Sequence, residues 1–211
     1  MTKEQVASEI KEGKASLGIE FGSTRIKAVL IDSENNPIAG GAFDWENSLV
    51  DGIWTYSLEE IHEGISTAYA GMKKDVQEKY GVKLTKLRAM GVSAMMHGYL
   101  AFDKDGNLLV PFRTWRNTIT GEASEKLSSL FNYPIPERWS IAHLYQAILK
   151  GESHVEDVAF FTTLAGYIHY RLTGEKVLGI GDASGMFPID SKTKQYDEEK
   201  LSKFDSLIAE K

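Results

Sequence analysis

Apolar and polar residues alternate through residues 16–40, and the alternation is punctuated by Gly22-Ser23-Thr24 and by Asn35-Asn36-Pro37. Period-two patterning broken by turn residues predicts a strand, a tight turn, a second strand, a further turn and a third strand reaching about Phe43. Ile26, Ala28 and Leu30 fall on one face of the second strand and Arg25 and Lys27 on the other, because successive side chains alternate. Ahead of this lies a polar leader, residues 1–15, in which Val6 and Ile10 support a short helix.

From residue 57 the period changes. Leu58, Ile61, Ile65, Tyr69, Met72, Val76 and Tyr80 recur at three- and four-residue spacing, Ser57 and Glu60 form a capping box, and Gly81 ends the helix. Residues 87–93 have the length and apolar content of a buried strand. Met95-Met96-His97-Gly98 breaks that run, residues 99–102 resume it, and the turn at Asp103-Lys104-Asp105-Gly106 predicts a hairpin with 108–110. Helices are predicted over 121–131, over 140–150 closed by Gly151, over 163–172 closed by Gly174, and over 197–209, where Leu201, Phe204, Leu207 and Ile208 form one stripe. Strands, a helix, a strand and more helices around glycine turns define an α/β domain with a mixed sheet, set at residues 16–211.

Composition narrows the function classes. Lys and Arg number 24 against 30 Asp and Glu, and a net charge of -6 offers no footprint for a nucleic-acid backbone or an anionic membrane. The absence of cysteine excludes disulfides, thiolate zinc sites and thiol nucleophiles. The opening residues are charged without an apolar signal-peptide core, and no run reaches membrane-spanning length, so a cytoplasmic protein is expected.

The first candidate chemistry lies at residues 18–27, where Glu20 near a strand end precedes the small, hydroxyl-bearing turn Gly22-Ser23-Thr24 and then Lys27. Such a turn can aim N–H groups and hydroxyls at a phosphate while the carboxylate reaches its Mg²⁺ directly or through water. Neither a Walker loop nor a Rossmann fingerprint is present. On these residues alone, a plain hairpin with a solvent-exposed Glu20 stands as an equal alternative.

Here the sequence resembles the FGGY carbohydrate kinases of the actin-like ATPase group, whose signature is an acidic residue, Gly-Thr-Thr and a basic residue in a β-hairpin. Glu20, Gly22, Ser23, Thr24 and Lys27 occupy those places, with Glu where the family usually has Asp and Ser23 where it has Thr. Gly52-Ile53-Trp54 resembles the family's Gly-Trp segment, and residues 91–100 resemble its strand ending in Gly-Gln-Met-His-Gly, with Met95 at the glutamine place and Met96-His97 retained. Thr114-Trp115-Arg116-Asn117 falls where these kinases line the sugar site, Asn117 standing where Asp is common. Tyr167 to Gly174 and Asp182-Ala183-Ser184-Gly185 resemble a helix end and the segment after it.

The resemblance implies an actin-like ATPase (ribonuclease H-like) fold, a mixed sheet flanked by helices. It implies ATP and Mg²⁺ as cofactors, with Gly22, Ser23, Thr24 and Lys27 on phosphate and Glu20 on the metal. Met96, His97, Trp115, Asn117 and Asp182 are the implied substrate contacts: an imidazole bonds a hydroxyl, and an indole covers an apolar sugar face. Asp182 as a turn residue stays open beside that role. His62, His143, His154 and His169 have no partner at metal-ligand spacing.

In such kinases a catalytic aspartate deprotonates a sugar hydroxyl that attacks the γ-phosphate of MgATP, and the protein works mainly by positioning and charge neutralisation. By the resemblance that base falls beyond Lys211 and the adenine pocket in a C-terminal domain that this chain lacks. The expected partners are therefore a small sugar and that further domain, with homo-oligomers left open and neither nucleic acid nor membrane. Another actin-like ATPase and a non-catalytic sugar-binding or interaction module of the same fold are the alternatives.

Overall fold

A computed structural model of the chain describes residues 1–209. The elements run α1 (Lys3–Glu12), β1 (Ser16–Phe21), β2 (Arg25–Ile31), β3 (Pro37–Asp44), β4 (Ser48–Val50), β5 (Ile53–Thr55), α2 (Leu58–Tyr80), β6 (Ala89–Ala94), β7 (Leu100–Phe102), α3 (Gly121–Phe131), α4 (Ser140–Leu149), β8 (Phe160–Thr162), α5 (Leu164–Thr173), α6 (Ile180–Ala183) and α7 (Glu198–Ala209). Contacts group them into two compact units: Met1–Asn47 with Tyr56–Met95, and Ser48–Thr55 with residues 96–209.

In the first unit a four-stranded sheet has the order β3-β2-β1-β6. β1, β2 and β3 are antiparallel neighbours, whereas β6 returns parallel to β1 after α2. Leu17, Ile19, Phe21, Ile26, Ala28 and Leu30 form a buried face, and Ile61, Ala68, Met72 and Val76 are the buried stripe of α2. Helix and sheet approach closely at glycines: a Cβ on Gly41 would overlap the backbone of Ala68 and Met72. Both caps of α2 are as predicted, Ser57 and Glu60 bonding reciprocally and Gly81 adopting φ 67. The polar leader is ordered as α1, with Val6 and Ile10 buried and its own Thr2/Gln5 capping box.

β6 departs from the buried strand expected at 87–93. It begins at Ala89, has no buried residue and leaves Met90 at 44% exposure. Among the described residues β1 is its only sheet neighbour, so it lies at an edge, where one row of backbone groups has no ladder.

The second unit is mainly helical. Ala123, Leu127, Phe131, Ile141, Ala142, Tyr145, Phe187 and Phe204 form a core shared by α3, α4 and α7. The predicted return of 108–110 on 99–102 is present as irregular pairing, with antiparallel bridges from Phe102 to Leu108 and from Tyr99 to Arg113 and the Leu109 amide donating to the Ala101 carbonyl at 2.9 Å. On its other side β7 pairs antiparallel with β8, some sixty residues on. Phe160 and Phe161 make that long-range pairing stronger, since Phe160 stacks on Phe102 and Phe161 packs on Tyr99. Sequence reading also missed the β4–β5 hairpin, although Asp51-Gly52 at its tip, with φ 49 and 80, is a residue pair suited to a turn needing two positive φ values.

Candidate functional site

Gly22, Ser23 and Thr24 join β1 to β2, and the turn closes when the Gly22 N–H donates to the Arg25 carbonyl at 3.0 Å. Two aromatic residues hold it from beneath. The Trp45 indole donates to the Gly22 carbonyl at 2.8 Å, the Tyr56 hydroxyl donates to the Ser23 carbonyl at 2.7 Å, and the Trp45 amide donates to the Thr24 carbonyl at 3.2 Å. Trp45 and Tyr56 themselves stack at 4.1 Å. All three carbonyls of the turn are thereby occupied. The amides and hydroxyls of Ser23 and Thr24, both exposed residues, have no acceptor among the described residues, which is the arrangement a small anion-binding turn requires.

A surface hollow of about 500 Å³ lies over this turn, lined by Glu20, Gly22, Ser23, Thr24, Arg25, Lys27 and Asp44. All five residues expected at the phosphate and metal therefore share one place. Glu20 and Lys27 are cross-strand partners and their side chains pair at 3.2 Å, while Arg25 pairs with Asp44. Both pairs are at the surface, where an ion pair is weakly held and readily exchanged for another partner.

The second unit gathers the polyol candidates. His97 sits at a left-handed φ of 70, followed by Gly98 at 89. Gly98 is fixed on both sides, its N–H donating to the Arg138 carbonyl at 3.2 Å and its carbonyl accepting from the Ser140 hydroxyl at 2.6 Å. A non-glycine residue at positive φ is strained, and such strain concentrates at functional positions. The ring lies against the second glycine-rich segment, Nδ1 3.4 Å from the Gly185 carbonyl oxygen, and a Cβ on Gly185 would come within 2.5 Å of Nδ1.

Asp182 belongs to the same cluster. Its carboxylate accepts a hydrogen bond from the Thr163 hydroxyl, the residue that also caps α5 by accepting from the Gly166 amide at 3.3 Å. Burial pushes the Asp182 carboxyl up, and the Thr163 hydroxyl and the His97 ring oppose that rise. His97 is shifted down, first by burial and then by Arg138, against the pull of the Gly185 carbonyl and Asp182. Each residue is thus biased toward its neutral form, which suits a hydrogen-bonding wall better than an ion pair.

The other three expected contacts differ from one another. Met96 and Trp115 are exposed at 44% and 43%. Asn117 is buried and its amide is fully engaged: Oδ1 accepts from the Trp54 amide at 2.9 Å, while Nδ2 donates to the carbonyls of Trp54 and Thr114 at 2.8 and 2.9 Å. It fastens the β5 strand to the segment carrying Trp115, and Arg116 then lies 4.1 Å over the Trp54 ring.

Behind these residues is a buried polar group that sequence reading did not assemble. Arg113 pairs with Glu152 and lies 5.6 Å over the Tyr99 ring, and the Tyr99 hydroxyl meets His154 Nε2 at 3.2 Å. Its members span residues 99–154, and no local spacing links them. Trp45 and Tyr56 were missed for the same reason: they are 23 and 33 residues from the carbonyls they hold.

No group of three metal-ligating side chains occurs among the described residues. Glu20 and Asp44 in one open hollow fit an ion that keeps most of its waters and takes its remaining ligands from phosphate oxygens, as Mg²⁺ does.

Three antiparallel strands, the first two joined by the Gly22-Ser23-Thr24 turn, and a fourth strand that returns parallel after a helix define a mixed α/β domain of the actin-like ATPase class. Residues 15–207 match the FGGY family of carbohydrate kinases, N-terminal domain, and the chain belongs to that family. The glycerol kinase of Thermococcus kodakarensis is 26% identical over 204 residues, 91% of this chain and 40% of that protein. Among solved structures, gluconate kinase from Lactobacillus acidophilus superposes with a TM-score of 0.76 at 20% identity, over 89% of this chain and 39% of its own. Plasmodium falciparum glycerol kinase with ADP gives 0.73 at 18%, over 90% and 40%. The chain spans about 40% of the length of the relatives it matches.

Proposed function

We propose that the chain is the N-terminal, sugar-binding portion of an ATP-dependent carbohydrate kinase that transfers the γ-phosphate to a sugar hydroxyl. The observation that carries this reading is the turn at Gly22-Ser23-Thr24, whose three carbonyls are occupied while the amides and hydroxyls of Ser23 and Thr24 have no acceptor among the described residues, in the lining of a hollow that also holds Glu20 and Lys27. In this reading those groups would receive the nucleotide phosphates, Lys27 would pair with a phosphate oxygen and Glu20 would hold a hydrated Mg²⁺. The ion would neutralise charge on the phosphates.

His97, Asp182, Met96 and Trp115 form the polyol side. His97 and Asp182 exchange hydrogen bonds with hydroxyls, and the exposed Met96 and Trp115 cover C–H surface. Asn117 orients the Trp115 segment through its bonds to Trp54 and Thr114. No residue of 1–211 is assigned the general base, and the partner that supplies it is further kinase sequence. The reading places the protein in the cytoplasm, where ATP is available.

The test is a thermal-shift screen of the chain against glycerol, xylulose and gluconate, with and without MgATP, followed by a coupled assay for ADP release. A ligand that binds only the native state raises its melting temperature by mass action. One polyol is expected to do so in the wild type and not in His97→Ala, with slow or no turnover. No shift with any polyol, or the same shift in the variant, overturns the sugar assignment; brisk turnover overturns the assignment of the base elsewhere.

A further inference from the structure

We propose that a second hollow, on the helical unit, binds a small organic anion bearing a flat apolar group, of the size and charge of an aryl phosphate. Its volume is about 430 Å³, and its walls include Phe160, Phe161, Ile180, Met186 and Tyr196, with Lys176 and Lys194 as its charged residues. That volume lies within the range of small-molecule sites, and the mixture of aromatic wall and few polar groups is their usual composition.

Both charges on the rim are positive. No carboxylate lines the hollow, and neither ammonium group has an ion-pair partner among the described residues, in a chain whose net charge is -6. Lys176 is held in place by aromatic faces, 4.6 Å from the centre of the Phe160 ring and 5.3 Å from that of Tyr170. Aromatic faces exclude part of the water around such an ammonium group, which strengthens its attraction for an arriving anion.

Lys194 supplies an independent indication. It adopts φ 61, in a turn position that glycine or asparagine fills with less strain. The turn around it is rigid: Asp190 accepts from the amides of Lys192 and Thr193 at 2.6 and 2.9 Å, and the Lys194 amide donates to the Asp190 carbonyl at 2.9 Å. A long cationic side chain is thus carried by a backbone conformation unfavourable for a residue with a Cβ. The apolar wall is uncovered as well, with Val177 and Ile180 at 55% and 48% exposure.

This hollow adjoins the His97 and Asp182 cluster but has its own lining. Ile180 and Ala183, three residues apart on one side of α6, line it, whereas the Asp182 carboxylate bonds to Thr163. Asp182 reaches the hollow only through its charge: burial and then that charge push the Tyr196 hydroxyl up. Thr162 faces the hollow and Thr163 the cluster.

Phenyl phosphate titrated into the 211-residue chain by calorimetry tests the proposal, with inorganic phosphate, benzyl alcohol and benzylamine as comparison ligands. Phenyl phosphate is expected to bind saturably and the three others at least about tenfold more weakly. Lys176→Met with Lys194→Met is expected to raise its Kd about tenfold or more, and Ile180→Glu to abolish binding, while the sugar-dependent thermal shift stays unchanged in both. Absence of saturable binding, equal binding by the lysine variant, or equal affinity for inorganic phosphate overturns it. Unfolding of a variant is read directly from its melting curve, and Lys194→Gly, which relieves the turn, then serves as the variant that removes a charge without loss of fold.

Discussion

The hydroxyl of Tyr56 donates a 2.7 Å hydrogen bond to the carbonyl of Ser23, so the residue just ahead of α2 holds the middle of the turn between β1 and β2. With Trp45 stacked on it and bonded to the neighbouring carbonyl, the turn has a fixed geometry before any ligand arrives. Preorganised donors lose little to reorganisation on binding. Tyr56→Phe keeps the ring that stacks on Trp45 and removes this bond. It is expected to lower unfolding stability by about 1 kcal/mol in urea and to weaken MgATP binding by a similar factor in free energy.

Gly185→Ala places a methyl 2.5 Å from Nδ1 of His97, and the ring must swing away. Because a side chain and not the backbone yields, the melting temperature should change little. Polyol affinity, read from the thermal shift against ligand concentration, is expected to fall about tenfold, the scale of one lost hydrogen bond to a partly buried group.

Gly41→Ala meets backbone in place of a flexible ring. The new Cβ overlaps the Ala68 carbonyl and the Met72 amide, so α2 must lift from the sheet along its buried stripe. A loss of about 3 kcal/mol in urea unfolding is expected, the upper end of the usual overpacking range.

His143 is wholly buried, neither ring nitrogen has a hydrogen-bond partner among the described residues, and burial with the nearby Arg113 charge drives it down from 6.5 to about 3. Between those values only the unfolded chain takes up the proton. Stability is therefore unaffected above pH 6.5 and declines as pH falls toward 3, by about 1.4 kcal/mol per pH unit from this group. His143→Leu removes that dependence. Urea midpoints at pH 7 and pH 5 should show a gap between variant and wild type that widens in the variant's favour on acidification.

Local signals carried most of the elements. The alternation in 16–40 and the capping box at Ser57 each need only residues within a few positions, and both strands and helix stand where those signals put them. Pairing was legible only where the chain turns back at once, as at Gly22. The choice of Phe160–Thr162 as the partner of β7 depends on aromatic stacking across the unit, which no window of sequence contains. The candidate site divides the same way. Glu20 and Lys27 are adjacent by strand register, whereas the orientation of Asn117 is set by the backbone amide and carbonyl of Trp54, 63 residues away.

One hydroxyl, that of Thr163, both starts α5 and steadies the carboxylate of Asp182. With Asp182 on the polyol side as proposed, folding and recognition are tied at a single atom. Any drift at this position that altered how a ligand is received would also loosen the first turn of a helix, so the chain has little freedom to retune one without disturbing the other. Serine preserves both bonds and valine neither, which makes Thr163 a point where the history of the pocket is constrained by the need to fold.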